Sequence, residues 1–469
     1  MSFGIPGLKR AFAGISVLAV VCLFSLSCQN YNNNRNRIRV AARFRVFVSN
    51  PLQPTFTGLI QPVLDVVDGS NDLITASTVS LLGTLPDAGM MVLSPDKSRT
   101  LVFSPSSNQL AIINNATETA TPTTAITLPG TTESFFVADD NANAYVAVPT
   151  APVAGQSPGV VVRIDVATGR ITATIPVPRA HFLVTSPAGN QVLIFSDNSD
   201  TVTLLKPSLI DSGNPLTPVQ NVGGCSRNLD QPNPCSFDHP VWAVFNKGGS
   251  AAYVLNCGPQ CGGPSVSTQC DPSLASALAC ASVALVDLSG ATPNVAGILP
   301  VSAATTGLLS GTTLYVAGTP ASASLSDCSG ITTAATTCGR LTIIDPAGFA
   351  VANSSQLPIS DGYHKVMQMG ANGQLFIGAQ NCTNINLSGG EVRGCLSIVN
   401  TASGVLSDST ITVPPKLGNV TGIEPIPNRS VVYVCQGGEL GIYDTVTDQL
   451  QKTQVSIVGR AIDVKAVDF

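Results

Sequence analysis

Charged residues are scarce in this sequence. Asp, Glu, Lys and Arg together make up 11% of the 469 residues, the net charge is −5, and there are three histidines and one tryptophan. Such a chain offers no basic face, so we do not expect a nucleic-acid partner. Hydrophobic residues nevertheless make up 44% of the chain, which is too many for an intrinsically disordered protein.

Recognisable catalytic motifs are also missing. The sequence contains no G-x-S-x-G nucleophile elbow, no H-E-x-x-H zinc motif, no P-loop and no dinucleotide-binding fingerprint. We therefore predict no cofactor, and no motif indicates an enzyme.

Residues 1–27 have the features of a secretory signal. Lys9 and Arg10 precede an apolar segment, and Ser27 and Cys28 follow it. A cysteine directly after a small residue resembles a bacterial lipobox, although Ser25 stands where Leu is usual. The resemblance implies a lipoprotein of the cell envelope, on the outer membrane or periplasmic face, with Cys28 as its acylated N-terminus. The alternative is an ordinary signal peptide.

Residues 28–43 form a polar tether rich in Asn and Arg. Its arginines could contact anionic lipid head groups, each contributing about 1 kcal/mol. The alternative is a solvated spacer between the anchor and a folded domain.

From residue 44 to residue 469 the chain is composed of short strand patterns. The clearest segment, residues 159–197, contains four runs rich in Val, Ile, Thr and other apolar residues, separated by turns containing Gly, Pro, Asp or Asn. The four runs are Val160–Val166, Ile171–Val177, Phe182–Val184 and Val192–Phe195.

A turn signal recurs at the end of the third strand of every unit except the one around Leu205 and Lys206, which keeps the strand pattern without it. An apolar residue precedes Asp or Asn, whose side chain can bond the backbone two residues further on and so start a tight turn. The Asp and Asn residues are Asp68, Asn114, Asp165, Asp287, Asp345, Asn400 and Asp444. Units of about 41 to 58 residues with four strands each are typical of propeller blades.

These observations predict an all-β fold, a β-propeller of eight four-stranded blades in a single domain, with seven blades as the alternative. The N-terminal part supplies only three strands, near residues 45–49, 63–67 and 78–82, and residues 461–469 supply one more. We expect the C-terminal strand to join the N-terminal blade and close the ring, which removes exposed sheet edges.

Several units resemble the YVTN-type β-propeller repeat. The residues that carry the resemblance are Ile164–Gly169 (IDVATG), the following ITATIPV and the turn SPAGN, with similar segments at Met91–Phe103 and Leu440–Gly459. The resemblance implies a propeller in an exported protein. It does not imply one reaction, and no functional residue can be transferred from it.

Eleven of the 13 cysteines lie beyond Cys28. Most occur where a second strand ends, where a third begins, or in the connection between blades. In an oxidising compartment these positions predict the disulfides Cys225–Cys235, Cys257–Cys280, Cys261–Cys270, Cys328–Cys338 and Cys382–Cys395, with Cys435 left unpaired. A zinc site formed by Cys257, Cys261, Cys270 and Cys280 is the alternative.

All three histidines and several acidic residues precede predicted innermost strands. Such connections gather at one mouth of a propeller channel, so the functional interpretation is a mouth that binds a metal or a polar ligand. The residues are Glu133, His181, Asp238, His239, Asp361 and His364. The alternative is a set of solvated loop residues.

The functional expectation is a non-catalytic binding or scaffold protein, attached to a membrane through its lipid and contacting a protein or polymer partner. The face that carries the disulfide-bonded connections is the expected interaction face. The alternative is a lactonase-like hydrolase with a metal at the channel mouth.

Overall fold

The computed structural model describes residues 44–468 with internal gaps. The gaps are residues 56, 121–123, 221–235, 264–280, 321–337, 353–356, 384, 387–391, 403–404, 407–417, 448 and 452–454. The described residues form antiparallel sheets and two short 3₁₀ helices, Pro207–Leu209 and Gly258–Cys261. None of the helices in this part of the chain is long and apolar enough to cross a membrane.

Eight sheets of four strands make up the molecule, which confirms the predicted eight blades. Blades are numbered by their N-terminal strands, and strands are given from the innermost outward.

Blades 1 to 4 occupy the first half of the chain. Blade 1 consists of Asp463–Ala466, Arg45–Pro54, Ile60–Asp68 and Leu73–Ser80. Blade 2 consists of Met91–Leu93, Arg99–Ser104, Gln109–Asn114 and Thr119–Ala120, with Ile126–Thr127 beside its third strand. Blade 3 consists of Ser134–Val137, Asn143–Val148, Val160–Asp165 and Arg170–Pro176. Blade 4 consists of Ala180–Thr185, Val192–Ser196, Val202–Leu205 and Leu216–Pro218.

Blades 5 to 8 follow. Blade 5 consists of Pro240–Phe245, Ala251–Asn256, Ala281–Asp287 and Asn294–Val301. Blade 6 consists of Thr306–Ser310, Thr313–Gly318, Gly339–Asp345 and Ala350–Val351, with Leu357–Ile359 beside its third strand. Blade 7 consists of Tyr363–Met369, Gln374–Gln380, Leu396–Asn400 and Val405–Leu406. Blade 8 consists of Val420–Pro425, Val431–Gln436, Glu439–Asp444 and Gln449–Leu450. The short strands Ile385–Asn386 and Val392–Arg393 pair with each other in a loop of blade 7.

The blades form a closed ring. The innermost strand of each blade contacts the innermost strands of both neighbours, from blade 1 through blade 8 and back to blade 1. Among the described residues, eight clusters of buried apolar side chains each join two adjacent blades. Because each sheet is covered on both faces, its central strands are continuously apolar rather than alternating.

The predicted turn signal has the expected geometry. In six of the seven positions the Asp or Asn side chain accepts a hydrogen bond from the backbone N–H two residues on. Asp165 instead accepts from the N–H and hydroxyl of Thr168 at 2.7 Å each. These bonds stabilise the turn between the third and fourth strands.

The C-terminal strand closes the ring as predicted. Asp463–Ala466 pairs antiparallel with residues 46–49 of the N-terminal blade. The Asp463 carboxylate also accepts a bond from the backbone N–H of Met91 in blade 2, and Arg45 forms a 2.5 Å ion pair with Asp468. The first and last described residues are therefore fixed to the same blade.

Removal of residues 461–469 should destabilise the whole ring. In the described part of this segment, residues 461–468, Val464, Ala466 and Val467 are almost completely buried, so their loss should cost about 4 kcal/mol or more in unfolding free energy. Thermal unfolding followed by circular dichroism measures the change. Val446→Ser, at an exposed turn of blade 8, is the control, and an unchanged midpoint in the truncated chain would contradict the closure.

Candidate binding pocket at the channel mouth

A pocket of about 510 Å³ opens on the face where the innermost strands begin. Its walls come from the starts of innermost strands and from the loops that follow second strands. The lining residues are Glu133 of the connection into blade 3; His181, Phe182, Phe195, Ser196, Asp197 and Asn198 of blade 4; His239, Pro240, Val241 and Cys261 of blade 5; and Tyr363, Lys365, Gln380 and Asn381 of blade 7.

One ion pair crosses the ring at this mouth. The Lys365 Nζ of blade 7 lies 2.5 Å from the Glu133 Oε2 of blade 3. Blades 3 and 7 are opposite each other in a ring of eight, so the pair spans the channel. Both side chains are partly exposed, which keeps them accessible from the mouth face.

His181 lies between two carboxylates. Its Nδ1 is 2.5 Å from the Asp197 Oδ1, its Nε2 is 3.8 Å from the Glu133 Oε2, and its ring stacks on Phe182 with centroids 4.0 Å apart. Burial lowers the pKa of His181, but Asp197 and Glu133 outweigh it and raise that pKa to about 9. The imidazole is therefore a cation at neutral pH.

The charges of this network are balanced. His181 and Lys365 hold the pKa of Glu133 at about 2, against the effect of burial. Burial, then the nearby Glu133 and Asp197, raises the pKa of Tyr363, so its hydroxyl remains a neutral hydrogen-bonding group. Two cations and two carboxylates thus occupy the pocket beside a phenol.

A second cluster lies at the edge of the pocket. The His239 Nδ1 is 2.8 Å from the Asp238 Oδ1 and 3.5 Å from the Asp200 Oδ1. All three residues are partly buried, and their donor atoms lie within 4.8 Å of one another. Carboxylate and imidazole groups at this spacing are suitable ligands for a divalent cation.

The residues after the second strands include two asparagines in the left-handed region. Asn198 and Asn381 have φ of 50° and 56°, a conformation that Asn tolerates better than most residues. Asn381 is held in place because its N–H donates to the Asn419 side chain of blade 8 at 2.8 Å. Local backbone preference thus brings these two amide side chains to the pocket.

Of the six predicted mouth residues, Glu133, His181 and His239 line the pocket, and Asp238 bonds to His239. His364 is a correction: it is completely buried, and its Nε2 lies 2.9 Å from the carbonyl oxygen of Ser360. Its burial lowers the pKa to about 4, so the ring is neutral. Side chains alternate along a strand, so Tyr363 and Lys365 reach the pocket and His364 does not.

Asp361 is the second correction. It is buried, and both its oxygens accept hydrogen bonds from Thr383 rather than facing the pocket. It therefore fixes the loop that follows the second strand of blade 7. Asp197, Tyr363 and Lys365 were not identified from the sequence; the alternation around His364 was the available signal for the last two.

The cysteine pairing is confirmed in one case and corrected in another. Cys382–Cys395 is present as predicted. Cys257 bonds to Cys261, so the predicted pairs Cys257–Cys280 and Cys261–Cys270 are wrong. The 3₁₀ helix Gly258–Cys261 brings the two Cα atoms to 5.7 Å, a normal disulfide separation.

The other cysteines are described only in part. Cys435 is free and buried, as expected. Cys338 is disulfide-bonded, but Cys328 lies outside the described residues, as do Cys225, Cys235, Cys270 and Cys280. The two observed bridges both follow second strands, on the mouth face.

The helix Gly258–Cys261 also connects three blades on the mouth face. The Gln260 amide donates to the carbonyl oxygen of Gly362 at 3.1 Å and accepts from the N–H of Thr319 at 2.9 Å. The disulfide thus stabilises a turn of blade 5 that is hydrogen-bonded to a loop of blade 6 and to the connection into blade 7.

Comparison with known proteins gives the fold but no family. No family model matches the chain, and no curated protein matches its sequence. Among solved structures, the dihydro-heme d1 dehydrogenase NirN is similar with a TM-score of 0.60 at 13% identity, over 92% of this chain and 78% of that chain. At this identity the similarity supports the propeller fold alone.

Two further similar structures are more distant. Hydrazine synthase of Kuenenia stuttgartiensis has a TM-score of 0.48 at 14% identity, over 76% of this chain and 95% of its own. A periplasmic gluconolactonase of Pseudomonas aeruginosa has a TM-score of 0.43 at 13% identity, over 90% and 98% respectively. Together the strand order and the NirN similarity define an eight-bladed β-propeller; the YVTN-type repeat remains a prediction.

The His181 network should make stability depend on pH. A folded-state pKa of about 9 exceeds the unfolded value, so the stabilisation is complete below about pH 6.5 and is lost as pH rises through 9. We expect His181→Gln to lower the unfolding free energy by about 2 kcal/mol at pH 6, with the difference shrinking towards pH 10.

Urea unfolding of both proteins across this range measures the effect. Lys247→Gln, which removes an exposed cation on the opposite face, is the control and should run parallel to the wild type. Parallel curves for His181→Gln and the wild type would show that the imidazole is not held as a cation.

Proposed function

We propose that this chain is a non-catalytic binding protein of the cell envelope, anchored through a lipid on Cys28. In this proposal the mouth pocket receives a polar segment of a protein or polymer partner. The observation that carries it is the network of His181, Asp197, Glu133 and Lys365 at the mouth.

The protonation states of this network favour binding over acid–base catalysis. A general acid or base is most effective when its pKa lies near the working pH. His181, with a pKa of about 9, remains protonated at neutral pH, and Glu133, with a pKa of about 2, remains ionised. Neither group readily exchanges a proton with a substrate, but both present fixed charges to a ligand.

The position of the Glu133–Lys365 pair supports a ligand that arrives from the mouth face. Because the pair joins opposite blades, it places a carboxylate and an ammonium group across the channel mouth. In the same pocket, Asn198, Gln380 and Asn381 contribute amides that both donate and accept hydrogen bonds. Phe182 and Val241 add apolar wall, the usual composition of a pocket that orients a ligand by a few polar groups.

A metal-dependent hydrolase of the lactonase type is the second candidate. The cluster of Asp200, Asp238 and His239 favours it, because these donors could hold a divalent cation at the edge of the pocket. Such a cation would polarise a carbonyl oxygen and activate water. The two candidates therefore use different sides of the same mouth.

Lys365→Ala should reduce partner capture. The substitution removes the ammonium group that pairs with the Glu133 carboxylate across the channel. We therefore expect at least a tenfold lower recovery of a partner from solubilised envelopes. The measurement is affinity capture with quantitative mass spectrometry, followed by reciprocal capture with the partner as bait. Lys247→Ala makes the same change on the opposite face and should leave recovery unchanged. Equal recovery of the partner with both variants would contradict the proposed binding site.

A lactone panel separates the second candidate from the first. Under the binding proposal we expect no hydrolysis of gluconolactone or acyl homoserine lactones with added Mn²⁺, Zn²⁺ or Ca²⁺. Cation-dependent hydrolysis that is lost in Asp238→Asn and retained in Lys365→Ala would instead favour the hydrolase. The rate of acid release, followed with a pH indicator, is the measurement.

A further inference from the structure

Exposed apolar side chains gather at one place on the mouth face. In the described part of the chain, five large apolar residues with high exposure lie at the mouth-side end of blade 1 or in the segment that leads into its innermost strand, whereas Phe44 (38%) and Leu73 (47%) lie at the other end of the blade. The five are Leu52 (45%), Leu59 (69%), Ile60 (63%), Leu82 (67%) and Val458 (45%). Single exposed apolar residues are normal on a protein surface, but a contiguous group marks an interaction site.

A projecting hairpin carries the first three of these residues. The innermost strand of blade 1 pairs with the second strand only up to Ser49 of that second strand. The outermost strand pairs with the third strand only from Val63 of that third strand onward. The two central strands continue beyond these points through the pairs Gln53–Gln61 and Pro54–Ile60. The described part of this segment, residues 51–55 and 57–62, therefore extends past the body of the sheet and is called the blade 1 hairpin.

The hairpin has a defined turn and a neighbouring support. The N–H of Thr55 donates to the carbonyl oxygen of Leu59 at 2.6 Å, and the N–H of Gly58 donates to the carbonyl oxygen of Thr55 at 3.0 Å. Gly459 packs so closely on Leu52 that a Cβ at this glycine would lie 2.7 Å from the Leu52 carbonyl oxygen. This contact places Val458 beside the base of the hairpin.

The charge pattern fits a lipid surface. Residues 50–64 include no Asp, Glu, Lys or Arg, so insertion of the hairpin buries no ionised side chain. Arg460 is exposed two residues after Val458, at the edge of the apolar group. Exposed apolar residues flanked by a basic residue are typical of segments that lie in the headgroup region of a bilayer.

The tether reaches the same blade. Residues 29–43 lead directly into the strand Arg45–Pro54, the strand that continues into the hairpin. An extended chain of this length spans up to about 50 Å, whereas the ten-residue strand Arg45–Pro54 is about 33 Å long. The tether is therefore long enough for a lipid on Cys28 and the hairpin to reach one bilayer, although Arg45 lies at the far end of the blade.

We infer that the blade 1 hairpin inserts its apolar side chains into the headgroup region of a phospholipid bilayer. The inference rests on the proposed function for its lipid anchor, and it adds an orientation. The mouth face is turned towards the membrane, with blade 1 as the contact point. The pocket, lined by blades 4, 5 and 7 with Glu133 of the connection into blade 3, faces a partner that is itself at the membrane.

Vesicle binding without the anchor tests this orientation. The probe is large unilamellar vesicles of phosphatidylethanolamine and phosphatidylglycerol, mixed with the chain from residue 28 carrying Cys28→Ser. We expect this protein to float with the vesicles, and Leu59→Ser with Ile60→Ser to lower its partition coefficient about tenfold or more. Ile171→Ser with Ile298→Ser removes two exposed apolar residues (41% and 42%) from the outermost strands of blades 3 and 5 and should leave partitioning unchanged.

A fluorescent reporter at the hairpin gives an independent readout. Trp242 is the sole tryptophan, so Leu59→Trp in a Trp242→Phe background reports on the hairpin alone. We expect its emission to shift to shorter wavelength on addition of vesicles. No flotation of the Cys28→Ser chain, equal partitioning of the hairpin and control variants, or an unshifted emission would each overturn the inference. Hairpin-dependent binding to a partner protein but not to vesicles would overturn it as well.

Failure of the proposed function has a different signature. Mass spectrometry of the membrane-extracted protein reports acylation of Cys28, and partner capture reports the pocket. Neither measurement depends on the vesicle result obtained with the non-acylated chain.

Discussion

Burial of both faces of every sheet is the constraint on which the rest of this structure depends. Each blade has two apolar faces, and each face is covered only by a neighbouring blade. The eight clusters in the described residues lie at the eight contacts between blades, so no blade can cover its own core. A ring satisfies this requirement because it has no first or last member. The pairing of Asp463–Ala466 with the N-terminal strands is therefore the step that covers the two remaining faces.

The mouth pocket follows from that ring. Closure brings the starts of the innermost strands together, which places Glu133 opposite Lys365 although the two are 232 residues apart in sequence. It also places His181 between a carboxylate of its own blade and one from the connection into blade 3. Hydrogen bonds and opposite charges at such short distances shift the pKa values of His181 and Glu133 strongly. The shifted pKa values of His181 and Glu133 thus result from ring closure, which brings side chains from distant parts of the sequence together.

Sequence patterns predicted the fold well because they record local physics. Asp68, Asp287 and Asp444 form turns by hydrogen bonds to residues two positions away, so seven of the eight blades could be recognised by this signal, and blade 4 by its strand pattern. The outermost strand of blade 1 was predicted near residues 78–82, whereas it extends from Leu73 to Ser80. The residue at which a strand ends depends on the strands that pair with it, and this pairing cannot be read from the sequence.

The site was predicted only in part for the same reason. Position before an innermost strand correctly selected Glu133, His181 and His239, because that position alone determines the face of the disc. It failed for His364, where a shift of one residue decides between the channel and the contact with blade 6. Cys257–Cys261 was missed because a 3₁₀ turn, rather than loop length, set the pairing distance.

Closure by Asp463–Ala466 also determines where the ring is exposed during folding. Blade 1 takes its innermost strand from a segment more than 400 residues away in the chain. While that strand is unpaired, the facing surfaces of blades 1 and 8 are open to solvent and to other chains. Contacts between residues so distant in sequence form slowly, and partly folded chains with open sheet edges are prone to aggregation. Folding of this ring therefore passes through a state with two uncovered blade faces, and pairing of Asp463–Ala466 ends that state.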